Sequence, residues 1–266
     1  DLMNLAVIME LPLVVLDVQR GGPATGLPTK SEQTDLLQVL FGRNGESPMP
    51  VMAATSPADC FDAAFQASKI ALEHMTPVVL LTDAYIANGS GAFKLPEMAK
   101  LDAINPPYVP EELKGKWTPY MRAENGTRYW AVHLSKSFTH ILGGLEKDSE
   151  TGAISTNPEN HDLMTRLRQQ KIDNIQVPDL EVIGDVDDAD LLIVGFGGTY
   201  GHLRAAMDEL RAQGKKVAHA HFKFINPLPK NAAQVLKKYK KVVVAEQNMG
   251  QLAAFLRMKV DGFVPY

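Results

Sequence analysis

The sequence has 266 residues, enough for two domains of ordinary size, with 45% hydrophobic residues, 22% charged residues and a formal net charge of −4. This mild charge gives no support for nucleic-acid binding, and no apolar run approaches the roughly 20 residues that a membrane-spanning helix needs. The single cysteine, Cys60, excludes an internal disulfide or an all-cysteine iron–sulfur cluster within these residues, which predicts a reduced, cytoplasmic protein.

Helix and strand patterns alternate over the first hundred residues. The periodicity predicts helices over 1–10, 32–41 and 56–75, and strands over 12–18, 50–54 and 77–82. Ser56 and Pro57 have the residue types of a helix N-cap and first helical position. The apolar run 78–81 is typical of a strand buried on both faces of a parallel sheet. Together these patterns indicate a doubly wound α/β domain over residues 1–100.

Both ends of the sequence are abrupt. Residues 1–10 already have the pattern of a helix in progress, and Tyr266 follows directly after a helix-like segment. We therefore expect the first domain to be incomplete at its N-terminal end and the last domain to be truncated.

A loop rich in glycine and proline follows the first predicted strand and reads QRGGPATGLPTK over residues 19–30. Glycine lets the backbone approach a ligand closely, and proline lowers the entropy that the loop loses on binding. Arg20 stands at the carboxyl end of the strand, where open α/β sheets place ligand groups. An arginine beside hydroxyl groups and free backbone N–H groups suits a carboxylate or a phosphate. From composition alone, a simple connection is the more ordinary interpretation.

The complete string, however, resembles a motif in the α subunits of the 2-oxoacid:ferredoxin oxidoreductases. Those subunits carry a stretch similar to QRGGPxTGLPTKxEQxDLL, which here covers residues 19–37 with Glu32, Gln33 and Asp35 in place. Ala24 stands where the family more often has serine, so one hydroxyl group is missing. The resemblance extends from end to end of the chain, and it is nearest to the members that act on 2-oxoglutarate.

The resemblance implies a fold and a site. Residues 1–100 would form the pyrimidine-type domain of thiamine-diphosphate enzymes, and residues 179–266 a transketolase C-terminal-like domain. Arg20 would bind a substrate carboxylate, either the one beside the keto group or the distal one of a dicarboxylic oxoacid. The implied substrate-binding residues are Arg20, Gly21, Gly22, Thr25 and Thr29. No catalytic residue and no metal ligand is assigned.

The implied reaction is oxidative decarboxylation of a 2-oxoacid, with the acyl group passed to coenzyme A and electrons passed to ferredoxin. A β subunit would bring Mg²⁺, the diphosphate side of thiamine diphosphate and a [4Fe-4S] cluster, so we expect a hetero-oligomer. The substrate could be 2-oxoglutarate, pyruvate or a branched-chain 2-oxoacid. Two other classes stay open: a lipoamide-type dehydrogenase subunit, against which the QRGGPxTGLPT string argues, and a non-catalytic α/β assembly module.

The middle of the chain is weakly patterned. Five prolines punctuate residues 94–119, and we assign residues 101–178 to a linker with local structure that wraps across a partner subunit. Its later part contains a basic segment through Met164, Leu167 and Ile172, which predicts a helix.

The last part, from residue 179, has the pattern of a second α/β unit. The periodicity predicts strands over 190–195, 217–222 and 242–246 and helices over 199–213 and 229–239, with Gly214 as a C-cap. The glycine-rich segment 195–201 invites a dinucleotide-binding interpretation. That interpretation needs an acidic residue after the next strand, where Lys223 stands instead, so a tight structural turn is favoured.

Three further features are interpreted as structural. Asp83 follows the strand 77–82 and is expected to cap the next helix rather than to act in catalysis. The segment 246–251 is expected to support packing or an interface. His219 and His221 lie on one strand face, but no third ligand is visible, so a metal site is not favoured.

Overall fold

The computed structural model describes residues 1–132 and 138–266, and within these ranges it contains eight α-helices, three short 3-10 helices and eight strands. The helices are α1 (Leu2–Met9), α2 (Leu36–Phe41), α3 (Cys60–His74), α4 (Ala84–Asn88), α5 (Pro158–Asp173), α6 (Tyr200–Ala212), α7 (Ala232–Lys238) and α8 (Gln251–Lys259). The strands are β1 (Leu13–Gln19), β2 (Val51–Ala53), β3 (Pro77–Asp83), β4 (Val182–Gly184), β5 (Leu191–Phe196), β6 (Val217–Phe222), β7 (Phe224–Asn226) and β8 (Val242–Val244).

The strands form two four-stranded sheets. The first has the order β1-β3-β2-β7, in which β1, β3 and β2 are parallel and β7 is antiparallel to β2. The second has the order β4-β6-β5-β8, in which only β4 runs against its neighbour. The predicted class, α/β with two open sheets, is confirmed.

The register of β1 against β3 brings two functional segments together. β3 is buried along its whole length, as its apolar run predicts. The pairing runs from Leu13 opposite Pro77 to Gln19 opposite Asp83. The glycine-rich loop after β1 therefore starts directly beside the carboxylate that ends β3.

Two predicted helices begin four residues later than expected. The helix predicted from Ser56 begins at Cys60, after a turn in which the Asp59 backbone N–H donates to both the carbonyl (3.1 Å) and the hydroxyl (3.2 Å) of Ser56. The helix predicted over 32–41 begins only at Leu36. Just before it, the Gln33 backbone N–H donates to the Gln247 carbonyl (3.0 Å), a long-range bond that replaces a helical one.

The last part of the chain contributes to the first sheet through β7. Met52 of β2 pairs with Phe224 of β7. Apolar side chains of both sheets, including Leu81 and Phe196, share one hydrophobic cluster. The division at residues 100 and 178 stays a prediction, and any such division has to allow for this shared strand and core.

The helix predicted near the end of the middle segment is α5. It is attached to the protein interior by buried charged side chains. Lys171 of α5 is 3% exposed at its side chain and donates to the carboxylate of Glu10, which is fully buried, at 2.9 Å. Arg122 pairs with the same carboxylate, and Arg128 donates to the Glu10 backbone carbonyl at 3.3 Å. We call these four residues the Glu10 cluster. It joins the end of α1 to α5 and to the irregular segment 120–130.

Positive charges outnumber negative ones in the Glu10 cluster, because it has three cations and one carboxylate. Burial by itself would raise the pKa of Glu10, but the nearby Lys171 and Arg122 charges outweigh it and lower this pKa to about 2. Burial lowers the pKa of Lys171 to about 8, despite the attraction of Glu10. The positive charges of the two arginines act in the same direction as burial, because they repel the ammonium group. The carboxylate is thus the group on which the stability of the cluster depends.

Within residues 1–132 and 138–266, no helix is both long and apolar enough to span a bilayer.

Candidate functional site

A cleft of about 650 Å³ opens where β1 ends and the glycine-rich loop begins. Its walls come from the end of β1, the start of the loop and the segment that leads into α2. The lining residues are Asp17, Val18, Arg20, Gly22, Pro23, Ala24, Glu32, Thr34, Asp35 and Gln38. A second cavity of about 310 Å³ shares Asp17, Asp35 and Gln38 with it.

The loop over residues 20–32 is shaped by its own backbone. The Gly21 N–H donates to the Lys30 carbonyl at 2.9 Å, and the Leu27 N–H donates to the Gly21 carbonyl at 3.0 Å. The Gly22 N–H donates to a carboxylate oxygen of Glu32 at 3.3 Å. The expectation of free backbone N–H groups beside Arg20 thus does not hold for Gly21 and Gly22, because the loop uses these two groups to hold its own conformation.

Gly26 is a position where glycine is required. Its φ is +43°, and a Cβ atom there would lie 2.2 Å from the Gly21 carbonyl oxygen. Ala24 and Thr29 also have positive φ, at 53° and 65°, which non-glycine residues rarely adopt. Strained backbone of this kind clusters at ligand sites, where the surrounding structure holds it.

The cleft brings together some of the predicted site residues and leaves others apart. Arg20 and Gly22 line it, whereas Gly21, Thr25 and Thr29 do not. The Arg20 side chain is exposed and makes no hydrogen bond or ion pair with any residue that the structure describes. A guanidinium group in this state keeps all five of its N–H donors for a ligand.

Three acidic residues, Asp17, Glu32 and Asp35, line the cleft together with Arg20. Burial raises the pKa of Asp17 to about 6, with a further contribution from the negative charge of Asp35. Burial and the charge of Glu32 raise the pKa of Asp35 as well. Arg20 is the one basic residue among the described residues that line this cleft, so a bound carboxylate would be drawn to its guanidinium group.

Sequence reasoning missed Asp17, although a charged residue inside an apolar strand run was a visible signal.

Asp83, beside the start of the loop, caps α4 as predicted. Its side chain accepts a hydrogen bond from the Ile86 N–H at 3.1 Å. It also accepts one from the Gly198 N–H at 3.0 Å, which the sequence did not indicate. The glycine-rich turn of the second sheet therefore meets a carboxylate of the first sheet, and the favoured structural-turn interpretation agrees with this contact.

Gly198→Ala is expected to destabilise the protein by about 1–3 kcal/mol, the usual cost of overpacking a filled site. A Cβ atom at this position would lie 2.3 Å from Oδ2 of Asp83, so the carboxylate would have to leave its bonds to the Gly198 and Ile86 N–H groups. Urea unfolding of the variant beside Gly201→Ala measures this effect, because a Cβ atom at Gly201 meets nothing within 4 Å. Equal stabilities of the two variants would contradict the contact.

The two histidines of β6 are neutral partners in the second sheet. The His221 Nε2–H donates to the Gly197 carbonyl at 3.0 Å, and its Nδ1 lies 3.4 Å from Nε2 of His219. Burial lowers the pKa of His219 to about 4 and that of His221 to about 3. Across the two described ranges, no group of three or more His, Cys, Asp or Glu side chains is arranged to hold a metal ion.

The segment 246–251 supports the packing of α8. The Glu246 carboxylate accepts hydrogen bonds from the Leu252 N–H at 2.7 Å and the Ala253 N–H at 3.0 Å. These two donors lie in the first turn of α8, where helical N–H groups lack internal partners. The segment therefore has a structural role in this chain.

Two family models match different parts of the chain. The model for the pyruvate flavodoxin/ferredoxin oxidoreductase, thiamine-diphosphate-binding domain matches residues 1–143. The model for the pyruvate:ferredoxin oxidoreductase core domain II matches residues 189–263. The first match covers the cleft and its loop completely. The chain therefore belongs to the pyruvate flavodoxin/ferredoxin oxidoreductase family.

Relatives within this family carry more specific names. The chain is 51% identical, over 97% of its length, to the 2-oxoglutarate oxidoreductase subunit KorA of Mycobacterium tuberculosis, and it covers 40% of that protein. It is 27% identical, over 93% of its length, to the 2-oxoglutarate synthase subunit KorA of Methanothermobacter marburgensis, and it covers 65% of that protein. It thus spans only part of these relatives.

A solved structure shows the same architecture. The 2-oxoglutarate:ferredoxin oxidoreductase from Magnetococcus marinus, with 2-oxoglutarate, coenzyme A and succinyl-CoA bound, superposes with a TM-score of 0.90 at 33% identity. The match covers 100% of this chain and 47% of that one.

Proposed function

We propose that this chain is the substrate-binding part of the α subunit of a 2-oxoglutarate:ferredoxin oxidoreductase. The complete enzyme would oxidatively decarboxylate the 2-oxoacid, pass the acyl group to coenzyme A and pass two electrons to ferredoxin. The observation that supports this most is Arg20, an exposed arginine without a described partner on a loop with fixed internal bonds at the mouth of the cleft. Names of the relatives point to the same substrate.

Arg20 would bind and orient the oxoacid. A guanidinium group holds a carboxylate through two parallel hydrogen bonds, which fixes both position and angle. We assign the distal carboxylate of 2-oxoglutarate to it. Tight binding of the carboxylate that leaves as CO₂ would stabilise the ground state and slow the reaction. Gly22, the other predicted site residue on the cleft wall, supports this role through its bond to Glu32.

The cofactor of the family is thiamine diphosphate. Its diphosphate is held through a metal ion, and the donor set of the described residues does not fit that half of the cofactor. The single cysteine, Cys60, likewise leaves these residues short of the four thiolates that a [4Fe-4S] cluster needs. We therefore place Mg²⁺, the diphosphate site and the cluster outside this chain, on a β subunit, and derive no step through them.

The assembly that follows is a cytoplasmic hetero-oligomer of α and β subunits. Ferredoxin would accept the electrons, and coenzyme A would accept the acyl group. Thr25 and Thr29, which lie on the loop outside the cleft, would contact substrate only after the partner subunit completes the site.

The test is the substrate profile of the complete enzyme, expressed with its partner subunit. We expect ferredoxin reduction that depends on coenzyme A, with the highest kcat/KM for 2-oxoglutarate. Pyruvate is the second candidate, because both matching family models are described for pyruvate enzymes. A higher kcat/KM for pyruvate or a branched-chain oxoacid would show that 2-oxoglutarate is not the preferred substrate. No reduction of ferredoxin with any 2-oxoacid would contradict the proposed function.

The 266-residue chain alone is expected to be colourless and inactive, because it has one cysteine and because the residues that the structure describes contain no group of side chains that fits a metal–diphosphate site. An absorption spectrum and an iron assay of the purified chain test this directly. Iron–sulfur clusters absorb near roughly 400 nm and are held by several thiolates. Stoichiometric iron with that absorption band would contradict the assignment of the cluster to the partner.

A further inference from the structure

The loop over residues 20–32 has few contacts that could fix its position. Residues 22–30 are exposed, and the hydrogen bonds described above hold the loop to itself. At its start the loop continues from β1. At its end stands Gln33, which is fully buried between two half-buried neighbours. The loop is therefore positioned at these two ends.

Gln33 uses both its side chain and its backbone to bond to the second sheet. Its Nε2 donates to the Phe196 carbonyl at 2.8 Å, and its Oε1 accepts from the Gln247 N–H at 3.1 Å. Its backbone N–H donates to the Gln247 carbonyl at 3.0 Å. Its own carbonyl accepts from Nδ2 of Asn248 at 2.7 Å. These partners follow β8 or end β5, at the carboxyl edge of the second sheet.

The contact is close and extends to the residues after Gln33. A Cβ atom at Gly197 would lie 2.7 Å from Nε2 of Gln33, so glycine is needed for this approach. Gln251 of α8 donates to the Thr34 carbonyl at 2.8 Å and accepts from the Leu37 N–H at 3.0 Å. Segment 33–37 is thus held by the second sheet and α8.

Hydrogen bonds connect segment 33–37 to the start of the loop. The Asp35 N–H donates to Oε1 of Gln19 at 3.1 Å, so the residue before Arg20 is tied to segment 33–37. Gly21 and Gly22 are bonded to Lys30 and Glu32, as described above. A shift at Gln33 therefore moves both ends of the loop together, and Arg20 moves with them.

We propose that Gln33 is a positioning residue, through which the second sheet sets the place of the loop and of Arg20 in the cleft. The part of this inference that concerns substrate rests on the proposed function. The part that concerns the loop does not, because it follows from the hydrogen bonds alone. Gln33 touches no substrate in this account and acts only through the backbone of the loop.

The test compares Gln33→Ala with Gln247→Ala in the complete enzyme. Gln247 has an exposed side chain and bonds to Gln33 only through its backbone, so its substitution is a matched control. We expect Gln33→Ala to raise KM for the oxoacid by roughly tenfold or more, while KM for coenzyme A stays near wild type. Hydrogen–deuterium exchange should increase in a peptide over 20–35 and stay unchanged in one over 77–83.

The outcomes separate positioning from a general loss of stability. A lower Tm with wild-type exchange over 20–35 and wild-type KM for the oxoacid would overturn the proposal. Gln33→Asn keeps the amide on a shorter side chain. If Gln33→Ala does not fold, KM for the oxoacid and exchange over 20–35 are measured on Gln33→Asn instead. If the wild-type enzyme oxidises no 2-oxoacid, the proposed function fails, and exchange over 20–35 alone decides whether Gln33 positions the loop.

Discussion

Arg20→Lys in the complete enzyme is expected to lower kcat/KM for 2-oxoglutarate by roughly ten- to a hundredfold. Lysine keeps the positive charge but lacks the planar pair of donors that holds a carboxylate, and a hydrogen bond to a charged group contributes roughly 1.5–3 kcal/mol. Tm should barely change, because the side chain is exposed and bonds to none of the described residues. Steady-state kinetics and calorimetry on the same preparation measure both.

Comparison of substrates shows which carboxylate Arg20 holds. A large loss for 2-oxoglutarate with a small loss for pyruvate places Arg20 at the distal carboxylate, whereas equal losses place it beside the keto carbon. Arg204→Lys is the matched control, since Arg204 is a partly exposed arginine paired with Asp208 on α6, away from the cleft. A well-folded Arg20→Lys enzyme with wild-type kinetics for both substrates would remove Arg20 from the site.

Glu10→Gln is expected to lower the free energy of unfolding by about 3–5 kcal/mol, the usual cost of breaking a buried ion pair from one side. The substitution keeps the size of the side chain but leaves Lys171 and Arg122 without their common carboxylate, and it removes the negative charge near Arg128. Urea unfolding of the complete α subunit measures the loss. Asp162→Asn, which removes an exposed pair with Arg166, should change stability by less than about 1 kcal/mol.

The same carboxylate predicts a pH dependence. The pKa of Glu10 is lowered from 4.5 to about 2 in the folded protein, so its contribution is fully present above about pH 4.5. It is lost as the pH falls through about 2. Wild type should therefore lose more stability than Glu10→Gln as the pH falls below 4.5. Parallel curves for the two proteins, or a loss below 1 kcal/mol at pH 7, would contradict the role of the cluster.

The sequence predicted the parts of the fold that depend on local pattern. The apolar run 78–81 became the buried centre of β3, and the strand 217–222 has the predicted bounds. Arg20, whose role in the site stays a prediction, was singled out because a strand end and a glycine-rich loop are both local signals, and it lines the cleft. In contrast, β7 is three residues long, and nothing local shows that it pairs with β2 instead of with the second sheet.

Long-range polar contacts could not be predicted either, because no local pattern in the sequence shows which distant residues meet. Glu10 and Lys171 are 161 positions apart, and Gln33 and Gln247 are 214 apart. By residue type, the buried Gln33 does not differ from an exposed glutamine. Gln33 stood within the quoted motif, but only the fold shows that it is buried against the second sheet.

The most direct test of the proposed function is a structure of the complete enzyme with 2-oxoglutarate bound. We predict a substrate carboxylate within hydrogen-bonding distance of the Arg20 guanidinium group, in the cleft bordered by Asp17, Gly22 and Glu32. A structure with 2-oxoglutarate bound elsewhere, and with Arg20 directed into solvent or paired with a protein carboxylate, would contradict the account.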